Sequence, residues 1–203
     1  MGLWDVILGR SKPVRPDLDQ LFGLPSAAIT LEAALGLTPT GEGAVCFASV
    51  EGGAFEQLRQ DVRALLDADT HRGGVPVEFS RDTYGYTWLL SRQPPGDAAA
   101  LVNDLHAVNT ALQDGGFGPQ LLCSLMVFRS PRPQQPEAGV GERVLALIYL
   151  YKRGTFYPFA PVPGGAERRD NALELQVRSL LTDDLRIEQD LSRWFPVWGA
   201  PGL

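Results

Sequence analysis

The chain has 203 residues, of which 44% are hydrophobic and 21% charged, a profile that excludes disordered and fibrous classes and fits an ordinary globular protein. A chain of this length buries roughly 70% of its unfolded surface and builds a core without disulfides or a structural metal. Eighteen Lys and Arg against 24 Asp and Glu leave a net charge of −6, the wrong sign for holding nucleic acid by charge. No nucleic-acid partner is expected.

The first ten residues place Leu3, Trp4, Ile7 and Leu8 on one apolar arc if helical, with Asp5 opposite. Pro13 and Pro16 then exclude a regular helix, so residues 1–16 read as an apolar arm on a short tether and 17–203 as one domain. Short helical signals run from Asp17 to Leu37. Ala44 to Val50 reads as a strand, and Ala54 to Ala68 as a helix with Phe55, Leu58, Val62, Leu65 and Leu66 inward.

Val75–Phe79 and Thr83–Ser91 read as the arms of a hairpin turning at Ser80–Asp82. In the second arm Tyr84, Tyr86, Trp88 and Leu90 share one face. Asp97 is a good N-cap for a helix to about Asp114, stopped by Gly115 and Gly116. Gln120–Phe128 and Arg143–Tyr151 read as central strands joined by a flexible Pro-, Gln- and Gly-rich loop near 129–142.

Lys152-Arg153-Gly154 turns the chain into Thr155–Phe159, expected at a sheet edge because Pro158 cannot donate to a ladder. Asp170 caps a helix through Leu181, and Arg186–Phe195 suggests a last short one. The order predicts an α+β fold, a mainly antiparallel sheet of five to six strands with helices packed on it.

No catalytic constellation emerges. His71 lies in a Gly-rich loop and His106 on the outer face of a helix, with no base or nucleophile nearby in sequence. Cys46 and Cys123 sit in apolar runs and read as small core residues; their mutual pairing stays open. No metal-ligand spacing occurs, and no cofactor is expected. Gly41-Glu42-Gly43 and Gly115–Gly118 stand in the wrong order for phosphate loops. The pairs Asp183-Asp184 and Glu188/Asp190 read as capping or solvated acids. No apolar run approaches the ~20 residues of a membrane span, and Met1–Arg10 has no basic region of a signal peptide. A cytoplasmic location follows as the expectation.

Two features resist a purely structural account. Lys152, one of two lysines, adjoins Arg153 within Tyr149–Phe159, a run dense in aromatics. Tyr151, Lys152, Arg153 and Tyr157 are therefore candidates for holding a partner or a small anionic ligand, against core packing with a charged turn as the simpler reading. The arm residues Leu3, Trp4, Ile7 and Leu8 either fold back onto the body or meet a partner helix or a membrane interface.

Three strings are distinctive: Tyr149-Leu150-Tyr151-Lys152-Arg153-Gly154-Thr155-Phe156-Tyr157-Pro158-Phe159-Ala160-Pro161, Arg168-Arg169-Asp170-Asn171-Ala172-Leu173-Glu174-Leu175, and Arg193-Trp194-Phe195-Pro196-Val197-Trp198-Gly199. With Asp104–Asn109 and Met1-Gly2-Leu3 they resemble PspAB, the actinobacterial family associated with phage-shock protein A, nearly end to end. The resemblance implies a part in the response to membrane damage and supplies no catalytic residue. The resulting expectation is a non-enzymatic adaptor or regulator that binds a protein partner, phage-shock protein A foremost, at the inner face of the cytoplasmic membrane. The alternatives are an anionic-ligand module or enzyme at Lys152/Arg153, and a chaperone-like client binder.

Overall fold

The computed structural model describes residues 16–49, 51–68, 75–131, 142–164 and 167–203. Six strands, β1 (Thr38–Ala48), β2 (Glu78–Arg81), β3 (Tyr86–Arg92), β4 (Leu121–Arg129), β5 (Val144–Leu150) and β6 (Thr155–Phe159), form one antiparallel sheet in the order β2-β3-β1-β4-β5-β6. With the helices α1 (Leu24–Leu35), α2 (Gly53–Asp67), α3 (Ala98–Leu112) and α4 (Asn171–Leu180) they make the expected α+β domain.

β1 lies inside the sheet between β3 and β4, with Ala44 opposite both Leu90 and Leu125. Alternation then assigns the two faces. Val45, Phe47, Ser124, Met126, Tyr149 and Phe156 share one face, and the helices pack there. Asn109 of α3 donates to Ser124 Oγ at 2.8 Å, and the Phe55 ring of α2 meets Phe47 edge-on at 5.6 Å. Asp97 and Asp170 cap α3 and α4 as the sequence predicts, accepting from the amides of Ala100 and Leu173.

The opposite face carries Cys46, Cys123, Val127, Tyr157 and Phe159, and the C-terminal segment lies across it. Trp194 stacks on Tyr157 with centroids 6.1 Å apart, and Trp198 meets Phe159 edge-on at 4.8 Å. Both faces of β4, β5 and β6 are thus buried, which is why these strands read as continuous apolar runs.

Several boundaries differ from expectation. β1 starts at Thr38, six residues before Ala44, because pairing with β4 carries it through Pro39 and Gly41 at a register shift. α3 ends at Leu112, and the chain widens over Gln113–Phe117 with Gly116 at φ 86°. His106 is half-buried rather than outward, its ring 4.9 Å from that of Phe22 and its Nε2 3.7 Å from Asp19. His71 lies outside the described residues.

The predicted helix over Arg186–Phe195 shrinks to one turn, Leu191–Arg193. Arg186–Glu188 instead runs parallel to β6: the Phe156 amide donates to Arg186 O at 2.9 Å, and Phe156 O accepts from Glu188 at 2.7 Å. The peptide groups at this outer edge need partners, and that need outweighs local helix preference. Pro158 has the parity of Phe156, so its missing N–H faces the outer edge and removes no bond to β5.

Candidate functional site

Tyr151–Gly154 forms the β5–β6 turn that the sequence predicts. Its aromatic and basic side chains diverge. Tyr151 is buried and its hydroxyl donates to Gln113 Oε1 at 3.0 Å. Tyr157 is buried on the face under the C-terminal segment, its hydroxyl donating to Phe195 O at 2.8 Å. Lys152 is exposed. Arg153 is held in a bidentate clasp, Nε to Glu188 Oε2 at 2.7 Å and Nη2 to Oε1 at 3.3 Å.

Glu188 is buried, and it also accepts from Thr155 Oγ1 and the Asp190 amide. Burial alone would push its carboxyl up. The hydrogen bonds from Arg153, Asp190 and Thr155 outweigh that and hold it below its ordinary value. The sequence reading of Glu188 as a solvated acid is therefore corrected: it anchors the segment that lines β6. Asp184 is likewise a tie, accepting from Ser26 and Thr30 of α1 at 2.5 and 2.7 Å. The arm residues Leu3, Trp4, Ile7 and Leu8 lie outside the described residues, as does most of the loop near 129–142.

Two concavities lie elsewhere, and neither is lined by Tyr151, Lys152, Arg153 or Tyr157. A cavity of about 460 Å³ opens where the C-terminal segment crosses the ends of β4 and β6, lined by Arg129, Glu142, Phe159, Pro161, Trp198 and Leu203 among others. Its cation is engaged, Arg129 lying 3.7 Å from Glu142 and donating to Gly202 O. A groove of about 290 Å³ runs between α2 and the β2–β3 hairpin, with Phe55 and Phe79 beside Arg59 and Arg81 and one acid, Glu51, in its lining. The guanidinium carbons of Arg59 and Arg63 stand over the Phe79 ring at 4.6 and 5.2 Å. Among the described residues no group of His, Cys, Asp and Glu suits a metal ion, and no helix is long and apolar enough to cross a membrane.

A family model described as PspAB, PspA associated protein B, matches residues 1–202. The chain belongs to that family. No curated protein and no solved structure matches it.

In this PspAB chain the three distinctive strings are neighbours in space. The first builds the β5–β6 hairpin, the second caps and starts α4, and the third is the strap across Tyr157 and Phe159. Arg169 joins all three: Nε donates to Glu174 at 2.9 Å, Nη1 to Trp194 O at 2.6 Å, and its guanidinium stands 5.2 Å from the Phe159 ring centroid. Sequence reading missed this hub, because residues in irregular chain announce no periodicity; an Arg169 five residues before Glu174 in a capped helix was the available signal. It missed the α2–β2 groove as well, since only the apolar stripe of that helix stands out in the sequence and Arg59 and Arg63 lie off it.

Proposed function

We propose that this chain is a non-enzymatic adaptor or regulator in the PspA-linked response to membrane damage, acting through protein–protein contacts at the inner face of the cytoplasmic membrane. The observation that carries the reading is the match of residues 1–202 to a family described by its association with PspA. The physical features agree with a binding role. Arg153, the strongest basic candidate for an anionic ligand, is neutralised by Glu188, and the three motif strings are absorbed in holding the fold together.

The apolar arm is the part assigned to membrane or partner contact, through Leu3, Trp4, Ile7 and Leu8, and a short apolar stretch with Trp suits either. The test compares tagged wild type with a variant carrying Asp at those four positions, captured from membrane-stressed, gently solubilised cells. Recovery of PspA with the wild type and its loss with the variant is the expected result. Capture of no PspA by the wild type overturns the adaptor reading, and equal capture by both removes the arm from it.

A further inference from the structure

The two outer edges of the sheet are treated differently. At β6 the outward N–H and C=O of Phe156 are bonded to Arg186 and Glu188. At β2 the alternation of the ladder is set by the Asp82 amide donating to Tyr86 O at 3.0 Å, in register with Ser80↔Trp88 and Glu78↔Leu90. Those pairs exchange bonds with β3, so the N–H and C=O of Phe79 and Arg81 point away from it. Among the described residues nothing pairs with these four groups.

The side chains of Phe79 and Arg81 share the helix-side face of the sheet with the ends of Arg59 and Arg63. Arg59 makes one ion pair, to Glu56 at 2.9 Å, and its Nε is buried with no hydrogen-bond partner. Arg63 and Arg81 have no carboxylate within ion-pair distance among the described residues. Tyr84 and Tyr86 expose their rings at the same end of the hairpin.

We infer that the open edge of β2, with Arg59, Arg63 and Arg81 above it, docks an extended acidic segment of a protein partner as an added strand. Four main-chain bonds would hold the segment, and every second side chain would turn toward the three arginines. Recognition therefore asks for Asp or Glu at alternate positions over about four to six residues. A second copy of the chain is disfavoured: two-fold pairing of β2 with itself would set Arg81 of one copy beside Phe79, Arg59 and Arg63 of the other. The chain's own first fifteen residues have the wrong sign as well, with Arg10, Lys12 and Arg15 against Asp5.

The inference deepens the adaptor reading and rests on it for the identity of the partner. Its test uses full-length protein and fluorescent ten-residue peptides in which Glu alternates with Val or Thr, beside peptides with Lys in place of Glu and with the Glu gathered in one block. Anisotropy titration reads affinity, and amide hydrogen exchange reads the edge. The alternating acidic peptide is expected to bind, to protect the Phe79 and Arg81 amides, and to weaken as salt rises. The Arg59→Glu, Arg63→Glu double variant is expected to lose about tenfold or more in affinity. Arg81→Pro, which removes an outward N–H and leaves the Ser80 pairing to β3 intact, is expected to weaken it too. Thermal melts confirm that both variants fold.

Equal binding of acidic and basic peptides, no binding up to about 1 mM, or a concentration-dependent dimer joined through β2 overturns the inference. Purified PspA separates the two levels. If it binds wild type and the double charge-reversal variant alike, the adaptor reading stands and this surface falls. If it binds neither while the acidic peptide binds, the surface stands and PspA is not the partner.

Discussion

Glu174 is the residue whose removal tests most directly how the C-terminal strap is held. Its carboxylate is buried, 2% exposed, and accepts from the Ala160 amide and from Arg169 Nε, both at 2.9 Å. Arg169 is itself mostly buried and fixes Trp194 through its carbonyl. Glu174→Ala leaves a desolvated guanidinium and an unpaired amide, and removing one partner of a buried pair typically destabilises by about 3–5 kcal/mol. Glu174→Gln keeps an acceptor and loses the charge, so about 2 kcal/mol is expected. For a chain of this size that corresponds to roughly 4–8 °C in Tm for Gln. Urea titration with a fixed m-value reads the change, and hydrogen exchange of residues 190–203 should rise with it. The double variant Arg169→Met, Glu174→Leu should be less destabilised than the sum of its single changes, because it leaves no charge buried alone. A Glu174→Ala cost within about 0.5 kcal/mol of zero, or strict additivity in the cycle, would refute the reasoning.

Glu188 gives a pH signature. Its folded-state carboxyl lies below the ordinary value, so the stability it contributes is present above about pH 4.3 and is lost as pH falls through the folded value. Glu188→Gln should flatten the acid limb of a stability-against-pH curve; an unchanged limb would place the acid sensitivity elsewhere. Gly41→Ala should destabilise by about 2 kcal/mol or more, since Gly41 has φ 83° and a Cβ there would lie 2.2 Å from Gln93 O; a melt within 2 °C of wild type would contradict it. The Cys46 and Cys123 thiols face each other across β1 and β4, and Cys123 together with burial pushes the Cys46 thiol up. Both should resist alkylation in the native protein and react on unfolding, and mass spectrometry that finds either labelled first would show the strands opening locally.

The elements legible in the sequence are those whose signals are local. Asp97 and Asp170 sit where the first amides of a helix need an acceptor, and Lys152-Arg153-Gly154 breaks an apolar run at the turn. Elements decided by pairing are less legible. Thr38–Gly43 contains Pro39, Gly41 and Gly43, poor strand formers by themselves, yet it joins β1 because β4 offers a ladder on one side and β3 on the other. The strap is hidden for a related reason: Pro196, Gly199 and Pro201 leave no repeat, so only tertiary contact reveals that Trp194 and Trp198 face Tyr157 and Phe159. A hairpin is visible in the sequence, but its turn falls at Asp82–Gly85 rather than Ser80–Asp82, so Ser80 and Arg81 belong to the first arm; that this arm is the sheet's outer strand is a property of strand order, which local residues do not encode.

The fate of the positive charge explains why the sequence points to one surface and the structure to another. Lys152 and Arg153 draw attention because lysine is rare and aromatics crowd them, but position in the chain says nothing of what lies opposite. Glu188, 35 residues away, arrives through the strand-like pairing of Ile187 with Phe156 and engages Nε and Nη2 of Arg153. Arg92, Arg129, Arg169 and Arg193 are similarly matched to Glu42 and Glu78, Glu142, Glu174 and Asp190. Six of the thirteen described Lys and Arg side chains, Arg59 included, thus lie within ion-pair distance of an acid. Arg63 and Arg81 are among those that do not, and they stand with Arg59 around Phe79 beside the open edge of β2. Unmatched charge beside unmatched backbone is the combination that an acidic strand would complete, since either alone is satisfied by water at little cost.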